Sequence, residues 1–214
     1  ACAPYRRLSL CNKNFQKINN YSSNAKHDLL LDVCMAANYE AQSLINYRAQ
    51  YDATYPGSGS TFTMCTMLAR SFADIGDIIR GKDLYLGKKK KNQNETKTER
   101  DQLEQKLKGI FEKIYNDVTS SGRNKRTNGA QKRYKGDGPD FFQLREDWWD
   151  ANRETVWKAL TCEAPKDSKY FRQTCGDNEK TTIRTPSHCR CTTHDVPTYF
   201  DYVPQYLRWF EEWA

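Results

Sequence analysis

The sequence lacks the features that mark membrane-spanning and catalytic proteins. No stretch approaches the ~20 consecutive apolar residues that a transmembrane helix needs, and the N-terminus has no secretory hydrophobic segment. Nucleotide-binding glycine loops, a GxSxG serine motif and an HExxH zinc motif are absent. The three histidines, His27, His188 and His194, are scattered. We therefore expect no enzyme, no cofactor and no direct membrane insertion by this fragment, with any targeting or anchoring signal outside it.

Strand patterns are also missing. Alternation of apolar and polar residues is confined to a few positions around Val196–Tyr202, so we expect no sheet. Apolar residues instead recur at helical spacing in five segments. These are Ala25–Tyr51, Thr61–Ile79, about Lys97–Val118, about Pro139–Thr161 and a segment that begins near Pro204. Because aromatic residues, 13% of the chain, each bury a large area, a packed core is expected. The pattern predicts an all-α helical bundle with long polar loops.

Local signals predict where the helices begin. A Pro-Gly-Ser-Gly-Ser run separates the first two, and Ser60 or Thr61 is expected to cap the second. Pro139 suits the first turn of the fourth. The acidic pairs beside Arg145 and Arg208 are interpreted as parts of surface ion pairs. The apolar stripe of the fifth helix consists of Tyr206, Leu207, Phe210 and Trp213.

The cysteine count is even, which favours disulfides and an oxidising compartment. The eight cysteines are at positions 2, 11, 34, 65, 162, 175, 189 and 191. A zinc site built from Cys189 and Cys191 with His188 or His194 is the alternative. It is less favoured because CxC is not the usual zinc-knuckle spacing and no second close pair exists. No cysteine has a recognisable nucleophile context.

Positive charge is concentrated in one segment. From Lys88 to Lys135 there are 15 Lys/Arg against 6 Asp/Glu, whereas the rest of the chain has a net charge of −2. The excess lies in two basic loops, about 88–96 and 120–138, at opposite ends of a helix that spans ~33 Å. The candidate polyanion-binding residues are Lys88, Lys89, Lys90, Lys91, Arg123, Lys125, Arg126, Lys132, Arg133 and Lys135.

Two interpretations of these loops stay open. The lysines either keep a flexible surface soluble or attract a polyanion. Nucleic acid fits the charge but not the cysteines, and no nucleic-acid-binding motif is present. A sulfated polysaccharide is the polyanion that suits an extracellular protein.

Long motifs elsewhere in the chain form a distinctive set. They are CAPYRRLSLC (residues 2–11), LARSFADIGDII (68–79), DLYLG (83–87), LREDWW (144–149), VWKALTC (156–162) and DYVPQYLRWFEEW (201–213). Together they resemble Duffy-binding-like domains, above all the alpha class that heads erythrocyte membrane protein 1 of Plasmodium falciparum. The resemblance covers nearly the whole chain, and the basic loops lie in its variable part.

The resemblance implies a disulfide-stapled helical fold of three subdomains. Residues 1–60 would hold the end of subdomain 1 and the first long helix, residues 61–214 would form subdomain 2, and subdomain 3 would be absent. It also implies display on the extracellular face of infected erythrocytes, within a larger membrane-anchored variant antigen. Implied partners are host receptors, sulfated glycosaminoglycans such as heparan sulfate, antibodies and adjacent domains of the same polypeptide. Rosetting, complement receptor 1 and blood-group sugars belong to the same family-based expectation.

Disulfide pairings are implied by the same resemblance. Cys65 is expected to bridge to the Cys189/Cys191 pair. The other implied pairs are Cys34 with Cys162 and Cys175 with Cys189. The counterparts of Cys2 and Cys11 pair with cysteines further upstream, which this chain lacks.

Two functional hypotheses follow. In the first, the chain is an adhesion module whose basic loops contact sulfated glycan. In the second, it is a scaffold that presents variable loops to antibodies, while neighbouring domains bind the host receptor.

Overall fold

The computed structural model describes residues 2–18, 25–56, 63–92, 95–120, 127–176, 183–193 and 195–213. Ser60, Thr61, Arg123, Lys125, Arg126 and His194 lie outside these residues. In chain order the elements are α1 (Tyr5–Leu8), a 3-10 helix (Lys13–Lys17), α2 (Ala25–Thr54), α3 (Met64–Arg80), β1 (Lys89–Asn92), β2 (Glu95–Thr98), α4 (Glu99–Thr119), α5 (Thr127–Arg133), α6 (Phe142–Leu160), a 3-10 helix (Phe200–Tyr202) and α7 (Gln205–Trp213).

Helices α2, α3 and α6 pack against one another and form the centre of the molecule. Phe72 of α3 lies between two tryptophans of α6, with its ring centroid 5.0 Å from that of Trp149 and 5.2 Å from that of Trp157. Trp148 meets Phe111 of α4 edge to face at 6.2 Å. These five rings are buried, so α6 contributes its three tryptophans to the core, as their helical spacing predicts, whereas Phe142 at its start is exposed. The predicted fold class, a disulfide-stapled and mostly helical bundle, is confirmed.

Helix α3 is buried around almost its whole circumference. It begins after Thr63, whose side chain accepts a hydrogen bond from the backbone N–H of Thr66, and ends at Gly81, which has φ +75°. The left-handed conformation at Gly81 ends the helix, and glycine adopts this conformation without the strain that a side chain would cause. Near its middle, Gly76 lets Trp149 approach so closely that an added Cβ would lie 2.7 Å from the ring. A fully buried helix of this kind must place its charged residues inside the protein.

Side-chain caps define where α4 and α6 begin. Thr98 and Asp101 form a capping box at the start of α4. At α6, the Asp137 carboxylate accepts the backbone N–H groups of Gln143 and Leu144 at 2.9 and 2.8 Å. The expectation that Pro139 stands in the first turn of this helix is therefore wrong: the capping carboxylate reaches across from Asp137, and the helix begins later, at Phe142.

The expectation of no sheet is also wrong, because β1 and β2 form a short antiparallel hairpin. The run Lys88–Lys91, which we call the first basic cluster, lies largely in this hairpin, because Lys89, Lys90 and Lys91 belong to β1. The register places Lys90 opposite Lys97. Asn92 and Glu95 form the last pair of the ladder, and β2 leads directly into α4. A run of four lysines has no apolar alternation, so the periodicity on which the expectation rested carries no signal for such a strand.

Two disulfides are present among the described residues. Cys65 on α3 bonds to Cys189, in agreement with the expected bridge to the Cys189/Cys191 pair. Cys175 bonds to Cys191, so its expected pairing with Cys189 is wrong. The expected pair of Cys34 with Cys162 is wrong as well, because both are free thiols, as are Cys2 and Cys11. With Cys189 and Cys191 oxidised, neither can supply a thiolate to zinc.

Arg208 of α7 anchors the C-terminal helix to α3. Its guanidinium donates to Asp74 at 2.8 Å and also contacts Asp77, and its side chain is 2% exposed. Burial alone would raise the pKa of Asp74, but the guanidinium groups of Arg6 and Arg208 outweigh it and hold that pKa below its ordinary value. Asp74 therefore stays ionised inside the protein. The interpretation of Arg208 as a surface ion-pairing residue is wrong, and so is that of Arg145, which is fully buried against Glu104.

The N-terminal segment joins the same buried network. Arg6 donates to Asp74 at 2.7 Å and to both carboxylate oxygens of Glu212 at 2.9 Å. Arg7 donates to Asp83, which in turn accepts from Gln205 at 2.9 Å. Segments about 200 residues apart in sequence are thus held together by charged groups on α3 and in the loop that follows it.

Helix α7 is oriented with its apolar stripe outward. The buried residues on its inner face are Gln205, Arg208 and Trp209, whereas Tyr206, Leu207, Phe210 and Trp213 are exposed. The sequence pattern identifies the stripe correctly, but the stripe does not face the core of this chain. Among the described residues, no helix combines the length and apolar character required to cross a bilayer.

Candidate polyanion-binding surface

The first basic cluster lies at the N-terminal end of α4. Lys88 is tied to that end by two hydrogen bonds: its backbone N–H donates to the Glu99 carboxylate at 3.2 Å, and its C=O accepts from the Glu99 N–H at 3.1 Å. The side chains of Lys88 and Lys89 are exposed. Lys90 and Lys91 belong to β1, and their side chains are outside the described part of the structure. The hairpin therefore holds the backbone of this lysine run in a defined position.

A cleft of about 480 Å³ opens beside Lys88, between the N-terminal segment and the start of α4. Lys13 and Lys17, on the 3-10 helix, line it together with Lys88 and Arg100. Phe15, between the two lysines in sequence, is fully buried and holds the 3-10 helix on the core. Four cationic side chains from three separate segments are thereby brought to one cleft, whose volume suits a small part of a polymer chain.

Acidic groups at the cleft are engaged by other residues. Arg7 binds Asp83 and lies 4.7 Å from the centre of the Tyr85 ring. Glu104 accepts two hydrogen bonds from Arg145, at 2.6 and 3.0 Å. Asp83 and Glu104 already have cationic partners and offset little of the positive field, whereas Glu99, whose carboxylate accepts the backbone N–H of Lys88, also lines the cleft and offsets part of it.

The second basic cluster is placed at the far end of α4. Gln131 of α5 donates to the backbone C=O of Thr119, the last residue of α4, at 2.7 Å. Because α4 has 21 residues and spans ~31 Å, Lys132 of α5 lies near the end of α4 that is remote from the cleft, and after α5 the chain runs back along α4, where Asp140 pairs with Lys108 at 2.6 Å. The described members of the two clusters therefore form two separate surfaces, each within reach of a different stretch of a polyanion.

Arg133 differs from its neighbours because it holds α5 against α6. Its guanidinium makes two contacts with Asp147, one of them 2.6 Å long, and Tyr134 donates to the same carboxylate at 2.9 Å. The hydrogen bonds from Arg133 lower the pKa of Asp147, and those from Tyr134 and Gln143 add to this. Of the candidate residues in this cluster, Lys132 and Lys135 are thus better placed than Arg133 to meet an external anion.

Sequence reasoning missed Lys13, Lys17 and Arg100 as candidate binding residues. The first two lie about 70 residues before the lysine run, in an N-terminal segment (residues 1–27) with five Lys/Arg and no Asp/Glu, a local excess that disappears when charge is summed over everything outside residues 88–135. Only the packing of the 3-10 helix beside α4 brings them to Lys88. Arg100 lies within the basic segment, but a helical position gave no reason to single it out.

A model of the Duffy binding domain matches residues 1–208. The chain belongs to the Duffy-binding domain family. Its solved relatives include the NTS-DBL1(alpha-1) domain of the Plasmodium falciparum membrane protein 1 (PfEMP1) from the varO strain. That structure is 40% identical with a TM-score of 0.70, and the match covers 100% of this chain and 43% of that one.

Two further Duffy-binding structures give the range of similarity. The NTS-DBL1-alpha and CIDR-gamma double domain of the varO strain PfEMP1 is 38% identical to this chain with a TM-score of 0.73. The match covers 100% of this chain and 27% of the double domain. A PfEMP1 DBLbeta domain bound to ICAM-1 is 32% identical with a TM-score of 0.65. The match covers 100% of this chain and 44% of that domain. A search of curated proteins gives no match. This Duffy-binding chain thus spans less than half of each of these relatives and belongs to a family of adhesion domains.

Proposed function

We propose that this chain is an extracellular adhesion module that binds sulfated glycosaminoglycan through the cleft at the start of α4. The single observation that carries the proposal is the convergence of Lys13, Lys17, Lys88 and Arg100 on one cleft of about 480 Å³. Sulfate groups spaced along a polysaccharide are anions that exposed cations attract over about 8–10 Å at physiological salt. The proposed location is the outer face of the infected erythrocyte, within a larger membrane-anchored antigen.

The second basic surface extends the same proposal. A polysaccharide that follows the ~31 Å length of α4 from the cleft would meet the second basic surface, with Lys132 near the far end of the helix. Binding at both ends by one chain would increase avidity, because the second contact is intramolecular. Short heparin fragments are therefore expected to bind the cleft alone, and longer fragments to bind more tightly.

The test compares heparin binding by two charge-neutralised variants over a range of salt concentrations. The first carries Lys13→Gln, Lys17→Gln and Lys88→Gln, and the matched control carries Lys132→Gln and Lys135→Gln at the far end. By analogy with nucleic acids, each lost contact should make the plot of log affinity against log salt shallower by about one. The first variant should lose affinity for short fragments while the control does not. Unchanged affinity in the first variant, or wild-type binding indifferent to salt, would contradict the proposal.

A protein receptor on the host cell is the second candidate partner. It is supported by relatives whose structures are DBLbeta domains bound to ICAM-1. Binding to red cells or endothelial cells that survives removal of heparan sulfate by heparinase would favour such a receptor. If the parent polypeptide binds host cells equally well after this module is deleted, the chain instead acts as a scaffold that presents variable loops.

A further inference from the structure

Helix α7 carries an aromatic surface that none of the residues described by the structure covers. Four residues one turn or less apart on its outer side are exposed, and Tyr5 of α1 adjoins them, its ring 5.8 Å from that of Trp213. The exposed fractions are 77% for Tyr5, 52% for Tyr206, 43% for Leu207, 75% for Phe210 and 52% for Trp213. We call these five residues the α7 aromatic face.

The α7 aromatic face is larger than ordinary surface exposure explains. At ~200 Å² for each aromatic side chain, the exposed parts of its four rings amount to about 500 Å². The largest apolar patch on a typical monomer is roughly 300–600 Å² and is often functional, so this single face reaches the upper part of that range. Apolar patches of this size mark surfaces that bind another part of a protein.

The helix cannot hide this surface by rotating about its axis. On its inner side Arg208 is held by Asp74 and Asp77, and Arg6 joins the Glu212 carboxylate to Asp74. Rotating the aromatic face inward would separate Arg208 from Asp74 and Asp77 and Glu212 from Arg6, and would leave Asp74, which has no exposed side-chain surface, with one of its two cationic partners. The ion network therefore fixes the outward direction of the aromatic residues.

The geometry points to an occupant in the same polypeptide: we propose that the α7 aromatic face is the docking surface for an apolar face of the part of the Duffy-binding domain outside these 214 residues. The varO NTS-DBL1(alpha-1) relative aligns with all of this chain, yet 43% of it is covered, so more than half of that relative has no counterpart here. A covalently linked segment pays little entropy to dock, because its effective concentration is high. This inference is independent of the glycan proposal.

Tryptophan fluorescence offers a direct readout. Trp148, Trp149, Trp157 and Trp209 are at most 4% exposed, whereas Trp213 is 52% exposed, so acrylamide should quench Trp213 selectively. The comparison uses the 214-residue chain and the parent polypeptide extended to the length of the varO relative, each with and without Trp213→Phe. In the short chain the variant should remove most of the quenchable emission. In the long chain it should remove almost none, because Trp213 is covered.

A substitution in the α7 aromatic face distinguishes the occupants. Phe210→Asp should leave the melting temperature of the short chain nearly unchanged but lower that of the long chain by roughly 5 °C or more, since it buries a charge at the docked surface. Phe142→Asp, at an aromatic residue that is 53% exposed at the start of α6, is the matched control and should be mild in both chains. Equal effects of the two substitutions in the long chain, or a Trp213 that stays quenchable there, would overturn the proposal. So would a short chain that dimerises in sedimentation and becomes monomeric with Phe210→Asp, because a second copy would then be the occupant.

Discussion

Replacing Arg208 by methionine tests whether the buried ion network holds α7 in place. Methionine keeps much of the side-chain length but removes the guanidinium, which contacts Asp74, Asp77 and the backbone C=O of Phe200 at 3.3 Å. Removing one partner of a buried pair leaves an uncompensated charge and costs about 3–5 kcal/mol. Because Arg208 is 2% exposed but Asp74 keeps Arg6 and Asp77 keeps Arg80, we expect the lower part of that range, about 3–4 kcal/mol.

The measurement is urea unfolding of the oxidised chain, since guanidinium chloride would itself screen the ion pairs. With a slope of ~2–3 kcal/mol per molar, the midpoint should fall by roughly 1–2 M. Lys158→Met is the matched control: Lys158 pairs with Glu154 on the surface of α6, and losing that pair should cost less than ~1 kcal/mol. If both substitutions lower the midpoint equally, the network does not stabilise the fold and the argument fails. Arg208→Lys should recover part of the loss, because an ammonium replaces the charge but cannot span both carboxylates.

Three further outcomes are expected. Gly76→Ala should destabilise the protein by about 1–3 kcal/mol, because the added Cβ would lie 2.7 Å from the Trp149 ring. Gly129→Ala is the control: no atom lies within 4 Å of its added Cβ, so it should stabilise α5 slightly. The melting temperatures of the two variants are compared. Replacing both cysteines of the disulfide that closes the 124-residue loop should cost about 5 kcal/mol in urea unfolding. Burial raises the pKa of Glu40, so as the pH falls the folded state binds a proton at Glu40 before the unfolded state does, and stability increases down to the unfolded pKa of ~4.3. In Glu40→Gln this increase should be missing from the pH profile of the free energy of unfolding. A variant with the wild-type profile would contradict the argument.

Acid should have the opposite effect through Asp74. Its pKa is depressed in the folded state, so its contribution to stability is complete above the unfolded value of ~3.9 and is lost as the pH falls through the lower folded value. Unfolding below about pH 4 should therefore be less steep in Asp74→Asn than in the wild-type chain. The pKa values of the two buried carboxylates shift in opposite directions because Asp74 has two arginine partners, whereas Glu40 accepts hydrogen bonds from neutral groups, the Ser71 hydroxyl and the Cys11 N–H.

Helix positions were predictable because helical order is local. The five expected segments correspond to α2, α3, α4, α6 and α7, and Trp149 and Trp157 enter the core as their spacing predicts. The ends were less predictable. The cap of α6 comes from Asp137, which accepts hydrogen bonds from N–H groups six and seven residues later. A carboxylate at that distance is not distinguished by periodicity from any other loop residue.

Contacts between residues far apart in the sequence could not be predicted from the local sequence pattern. The choice of Cys191 over Cys189 as the partner of Cys175 depends on which sulfur the folded loop presents, and the two alternatives are two residues apart. The gathering of Lys13 and Lys17 beside Lys88 depends in the same way on the docking of a short 3-10 helix. Neither arrangement has a signature within any one segment of the chain.

The sequence by itself determined the helical architecture, the confinement of positive charge and, through its motifs, the resemblance to Duffy-binding-like domains. Only the tertiary structure decided which way α7 faces, because that direction depends on Arg208 meeting Asp74 and Asp77, more than 130 residues earlier in the chain. Periodicity reports that a helix has an apolar side and a charged side. Which side turns inward is determined by the partners that the rest of the fold provides.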